Sequence, residues 1–194
     1  MFTYLFDLLA SDVYPKEYSL RALTLNIRLY FLATMGTQPS SEAKFLTLVT
    51  GLEVYHRRTS NENDKMEMDE AEFDELVRNL VEQCPEERQE WLGSKLRNEV
   101  SLRKRIKRLI EPFKSHFGNK KKRTKLINKI VTTRNYLIHY DPRLESEAAQ
   151  GQDLQILCQK MEVLFQLHFL QLIGFSQEEI NSIVDHQLRW KLQF

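Results

Sequence analysis

An all-α fold is predicted for this chain of 194 residues by three observations. Apolar residues recur with helical spacing through most of its length, so that one face of each segment is greasy and the other charged. No segment alternates apolar and polar residues as a half-buried strand does. Only six Gly and five Pro punctuate the chain, and they fall between the periodic segments. The expected architecture is a bundle of about six to eight helices around a common core.

Taken in order, residues 16–34 predict a first helix, with Leu20, Leu23, Ile27, Leu29 and Phe31 among its apolar positions. Gly36 to Ser40, containing Pro39, breaks it. Ser41 to Arg57 predicts a second helix whose apolar face carries Phe45, Leu48, Val49, Leu52 and Tyr55. Thr59 to Asp64 reads as a polar loop. Asp69 to Gln83 is amphipathic through Phe73, Leu76, Val77 and Leu80, and Pro85 ends it. Glu86 to Leu96 and Val100 to Phe117 predict one broken helix or two consecutive ones. After a turn at Phe117-Gly118-Asn119, a helix is expected from Lys120 to Tyr140, where Pro142 pushes Asp141 out of helical geometry. Asp153 to Ile173 is the most apolar segment and predicts a central core helix. Ser176 with Glu179 matches a capping box opening a last helix to about Trp190. The chain divides near residue 40, into an N-terminal helical segment (1–40) and a helical domain (41–194).

Composition bounds the function. Hydrophobic residues make up 42%, charged residues 28%, and the net charge is +1, so no global field attracts a polyanion. The charge is segregated, however. Twelve acidic side chains lie between Glu62 and Glu90, and eleven Lys and Arg lie between Arg103 and Lys125 against Glu111 alone. Such a pattern predicts either mutual packing of the two segments or a basic surface that meets a partner. Two cysteines, Cys84 and Cys158, are too few for a disulfide framework or a cysteine metal site. The first residues lack a basic start and contain Asp7 and Asp12, unlike a secretion signal, and no apolar stretch reaches membrane-spanning length. A cytoplasmic protein without a membrane partner is expected.

Candidate chemistry gathers in the 120–140 helix. Arg134 occupies a slot at the edge of the apolar stripe Ile127, Ile130, Val131, Leu137 and Ile138, where an unpaired guanidinium is costly. Its anionic partner is either a carboxylate of the same chain, with Glu53 the candidate, or a phosphate. Asn135 and His139 are i,i+4 neighbours on one helical face. His139 falls in the last turn, where the negative end of the helix macrodipole favours a cation. Lys120, Lys121, Lys122 and Arg123 open the same helix and could carry a phosphate backbone, although a solvated helix start is the commoner reason for such a run. Glu53, His56 and Arg57 gather polar groups at the end of the second helix. His168 reads as a core histidine. Neither a metal-ligand cluster, a Gly-rich phosphate loop nor a nucleophile elbow is evident, and no cofactor is expected.

Two segments, Phe45-Leu46-x-Leu48-x-x-x-Leu52-Glu53-x-Tyr55-His56-Arg57-Arg58 and Thr133-Arg134-Asn135-Tyr136-Leu137-x-His139-Tyr140, resemble the Apea-like HEPN subfamily of HEPN ribonucleases from bacterial abortive-infection systems. The likeness spans roughly residues 41 to 190. It implies a HEPN-type bundle and a metal-independent endoribonuclease in anti-phage defence, acting on RNA with tRNA the candidate substrate. The ribose 2′-hydroxyl would attack the adjacent phosphate. On this resemblance His139 is the general acid or base, Arg134 stabilises the phosphorane-like oxygens, and Asn135 orients His139 or contacts the phosphate. Glu53, His56, Arg57 and Tyr140 would support them, and Lys120 to Arg123 would bind RNA. It further implies a homodimer with a composite site and a regulatory N-terminal domain absent from this chain. The alternative is a non-catalytic helical module for dimerisation or nucleic-acid binding; an adaptor using the acidic Asp69–Gln83 helix is a third reading.

Overall fold

The structure, a computed structural model, describes residues 40–192 together with Tyr30, Ala33 and Thr34. The helix expected over 16–34 therefore lies largely outside the described residues, although Tyr30, Ala33 and Thr34 are helical. Eight α-helices are present among the described residues: α1 (Ser41–Thr59), α2 (Glu62–Lys65), α3 (Glu70–Glu82), α4 (Glu86–Lys95), α5 (Leu102–Ile110), α6 (Lys120–His139), α7 (Gly151–Leu172) and α8 (Gln177–Ile183). The fold is all-α, as the periodicity predicts.

Local chemistry sets most of the boundaries. Ser40, Asp69, Ser101, Asn119 and Ser176 each cap the helix that follows by accepting a backbone N–H of its first turn. Ser176 and Glu179 satisfy each other's backbone N–H in the capping box. Gly118, at φ 76°, supplies the left-handed turn into α6.

Three expectations are corrected. The loop after α1 contains the short helix α2. The segment expected to reach Phe117 leaves α-helical geometry at Ile110, because Pro112 has no N–H for the Arg108 carbonyl; a tight turn at Glu111–Phe113 follows. The last helix is α-helical only to Ile183 and then widens into a π-helical turn, Val184–Leu188, before a tight turn at Arg189–Leu192. That widening keeps Val184, Leu188 and Leu192 against the core.

The core forms where α1 packs along α7, with α5 and α6 flanking them. Phe45, Leu48, Val49 and Leu52 from α1 meet Leu154, Met161, Leu164 and Phe165 from α7, all essentially inaccessible to water. Phe113 and Phe117 close one end. Burying each of these side chains contributes about 1.5–3 kcal/mol before the entropy of ordering is charged against it. Glu162, buried on α7, is compensated by Lys44 at 2.5 Å and Lys191 at 3.8 Å. Burial also pushes the Cys158 thiol up to about 12, which makes it an inert apolar filler rather than a nucleophile.

The acidic segment meets the basic one only at its start, where Glu67 pairs with Lys104 and Asp64 with Arg108; the acidic helices that follow do not pack on α5 or α6. Helices α3 and α4 lie chiefly on each other, bury no residue fully, and leave Leu76, Leu80 and Trp91 exposed. Their neck is pinned by backbone bonds that the periodicity could not reveal: Glu67 N–H to the Asn98 carbonyl (2.9 Å) and Val100 N–H to the Lys65 carbonyl (3.0 Å). The Asn98 amide completes it by pairing with both backbone groups of Met68.

Candidate active site and basic grooves

Helix α6 carries the motif and is anchored at its C-terminal half by Thr133, whose buried hydroxyl accepts the Ala149 N–H at 2.9 Å. That bond sets the rotation of the helix, so that the next residue, Arg134, emerges half-buried at the surface. The Arg134 Nη1 donates to the Asn135 side-chain oxygen at 3.3 Å, and no carboxylate lies within ion-pair distance of it among the described residues. Glu53, its candidate partner, is instead held by Arg57 at 3.2 Å, and Arg57 also reaches Glu99 at 2.7 Å. An Arg134–Glu53 ion pair is thus not what the structure contains.

His139 is exposed in the last turn of α6, and Tyr140 ends the helix in the left-handed conformation (φ 50°, ψ 43°). Asp141 follows, with its carboxylate gripped by Arg143 at 3.0 and 2.8 Å. Arg143 holds that carboxyl below the usual carboxylate range, and the nearby His139 pushes in the same direction. On a helix advancing roughly 100° per residue, Asn135 and His139 share a face, whereas Arg134 and His139 stand about 140° apart.

The basic residues at the start of α6 divide by role. Lys120, Lys121 and Lys122 are exposed. Arg123 is partly committed to the turn before the helix, where its guanidinium donates to the Lys114 and Gly118 carbonyls. Two grooves flank this half of the helix. One, about 270 Å³, runs between α5 and α6 and includes Arg103, Lys107, Lys120 and Arg123. The other, about 440 Å³, runs between α6 and α7 and includes Lys122, Lys125, Lys129 and Lys160.

A second polar cluster sits at the end of α1. His56 is buried, and neither ring nitrogen makes a hydrogen bond to protein. Burial, reinforced by Arg105 and Arg108, pushes the imidazole down to about 4, so it is neutral and poorly suited to proton transfer near pH 7. Arg105, missed in the sequence because it reads as one more cation on a basic helix, is only 1% exposed and donates to the Val100 carbonyl (2.9 Å) and Glu99 (3.3 Å). Its position at i+4 from Ser101, on the side of Leu102, Ile106 and Leu109, was the available signal. Glu53, His56 and Arg57 therefore belong to a cluster with Arg105 and Glu99, and their hydrogen bonds do not reach Arg134 or His139. His168 is a core residue, sandwiched between the Tyr55 and Phe113 rings (4.9 Å each) and bonded to the Leu109 carbonyl at 2.9 Å.

A family model for Apea-like HEPN domains matches residues 46–179. The chain belongs to the Apea-like HEPN family. The match runs from α1 into α8 and so encloses both the α6 motif and the His56–Arg105 cluster. HEPN domains are commonly ribonucleases, which supports an enzyme of nuclease or defence type in coarse outline. No curated protein and no solved structure is significantly similar to this HEPN chain. Among the described residues, no helix is long and apolar enough to cross a membrane.

Proposed function

We propose that this HEPN domain is a metal-independent endoribonuclease whose site is built from Arg134, Asn135 and His139. The observation that carries the reading is that the Arg134 guanidinium has no carboxylate partner while His139 stands exposed one turn beyond it. A half-buried guanidinium without a carboxylate is open to a phosphodiester, whose oxygens supply the missing anion.

In the reaction, an imidazole accepts the 2′-hydroxyl proton as O2′ attacks the adjacent phosphorus. The P–O5′ bond breaks, the departing O5′ takes a proton from a second imidazole, and the products are a 2′,3′-cyclic phosphate and a 5′-hydroxyl. Arg134 stabilises charge on the non-bridging oxygens, and Asn135 positions the Arg134 side chain through the bond it accepts. Because Arg134 and His139 of one copy diverge around α6, a homodimer that brings two motifs together supplies both imidazoles and both guanidinium groups to one cleft. The RNA backbone runs over the exposed Lys120, Lys121 and Lys122, with Arg123 adding charge from the turn. Substrates are RNAs, with tRNA the first candidate, and the setting is anti-phage defence.

The test is incubation of the purified chain with total RNA and mapping of the new ends. Arg134→Ala and His139→Ala are expected to lose cleavage by at least ~100-fold, the scale of a missing general acid–base or oxyanion group, with an unchanged far-ultraviolet circular dichroism spectrum. Chelator leaves the wild-type rate unaltered, and a 2′-deoxy substrate resists. Cleavage by His139→Ala at the wild-type rate overturns the mechanism.

A further inference from the structure

Tyr140 is the one non-glycine residue with positive φ among the described residues. That backbone region strains an L side chain, and glycine usually occupies it at the end of a helix. Pro142 explains why the chain turns here. It drives Asp141 into extended geometry (φ −78°, ψ 108°), and the Tyr140 N–H still closes the last turn on the Tyr136 carbonyl at 2.7 Å. Nothing in that turn requires an aromatic ring.

The ring is nonetheless held in place. It is 76% exposed and stacks on Tyr136, with centroids 5.7 Å apart and planes inclined by 22°. Tyr136 is half-buried and its hydroxyl donates to Glu145 at 3.4 Å, so the inner ring backs the outer one. One face of Tyr140 is left open beside His139. Lys122, Lys125, Lys129, Tyr136 and Tyr140 follow one another at helical spacings of three, four, seven and four, which places them on a single stripe of α6. The three lysines line the α6–α7 groove, whose walls also include Lys160, Asp153 and Ile156. At 1.5 Å per residue the stripe is about 27 Å long.

We propose that Tyr140, backed by Tyr136, is a stacking platform for a nucleobase of single-stranded RNA, and that the lysine groove conducts the strand to it. The identity of the strand as RNA rests on the ribonuclease reading of the same site. A ring open on one face takes a base only when that base is not already paired and stacked, so the platform selects unpaired segments over duplex. Aromatic stacking is tolerant of base identity, and the lysines contribute a salt-dependent, base-independent share. A residue strained for folding but placed for contact is the arrangement expected of a binding position.

Binding can be measured by fluorescence anisotropy with a labelled 2′-O-methyluridine decamer, which lacks the attacking hydroxyl, and with an abasic decamer of equal charge. The wild type is expected to prefer the uridine decamer by ~10- to 100-fold, the range for loss of a stacked base. Tyr140→Leu should remove that preference while binding the abasic decamer as before, and Tyr140→Trp should keep it. Tyr140→Gly should lose the preference yet melt no lower than wild type, because glycine relieves the backbone. The proposal is overturned if Tyr140→Leu retains the preference, if the wild type shows none, or if sedimentation shows that Tyr140→Leu dissociates an assembly of this chain, which would assign the ring to contact between copies. A wild type that keeps the base preference without cleaving RNA sinks the ribonuclease reading alone. Cleavage without any base preference sinks the platform alone.

Discussion

Glu99 is a surface residue by exposure, with 56% of its side chain accessible, and substitutions at such positions normally change stability by under ~0.5 kcal/mol. Here a larger loss is expected. Its carboxylate lies 2.7 Å from Arg57 and 3.3 Å from Arg105, and Arg105 is 1% exposed. Burial pulls the Arg105 guanidinium below its usual range, which means the protein strains to keep that charge, and Glu99 is the carboxylate that contacts it. Glu99→Ala removes the charged acceptor and leaves the buried cation with the Val100 carbonyl. A hydrogen bond to a charged group contributes about 1.5–3 kcal/mol, so we expect a loss of about 2 kcal/mol. For a chain of this length that lowers the melting midpoint by ~4–8 °C. Urea unfolding followed by circular dichroism should show a reduced midpoint with an unchanged m-value. Adding Arg105→Met to Glu99→Ala should recover much of the loss, since no buried charge then remains uncompensated. A Glu99→Ala protein within 0.5 kcal/mol of wild type, about the scatter of ordinary surface sites, would refute the reasoning.

Acid sensitivity follows from the buried histidines. Burial holds the His168 imidazole at about 4 against an unfolded value near 6.5, so the unfolded chain binds the proton first as pH falls. The associated stability is present above pH ~6.5 and is lost between there and about 4, on the order of 3 kcal/mol at most. His168→Gln should flatten that limb of a pH–stability curve, and a wild-type curve that is flat from 6.5 to 4 would contradict it. At Gly93, inside α4, an added Cβ would meet only the Val81 Cγ2 at an ordinary 3.9 Å. Gly93→Ala should therefore stabilise the chain by about 0.5–1 kcal/mol in chemical denaturation, and any destabilisation would mean that α4 packs differently.

What the amino-acid order alone determined was local. The capping box at Ser176, the breaks at Pro39, Pro85 and Pro142, the turn at Gly118-Asn119 and the 3.6-residue stripes act over a few residues, and they placed α1, α3, α6 and α7 to within about two residues. The Arg134-Asn135-His139 spacing is equally local, so the candidate motif was visible from the start. Its surroundings were not. Arg105 looks like any other cation of α5 until α1 arrives against it and removes the water, and His56 is driven below its usual range by the same encounter. The widened turn at Val184–Leu188 likewise depends on where α7 presents the core. The acidic hairpin stands apart from the basic helices because its neck joins Lys65–Met68 to Asn98–Val100, a pairing across about thirty residues that no short-range pattern encodes. Tertiary structure decided these points, since burial and desolvation depend on which helices meet, whereas capping and periodicity depend only on the nearest turns.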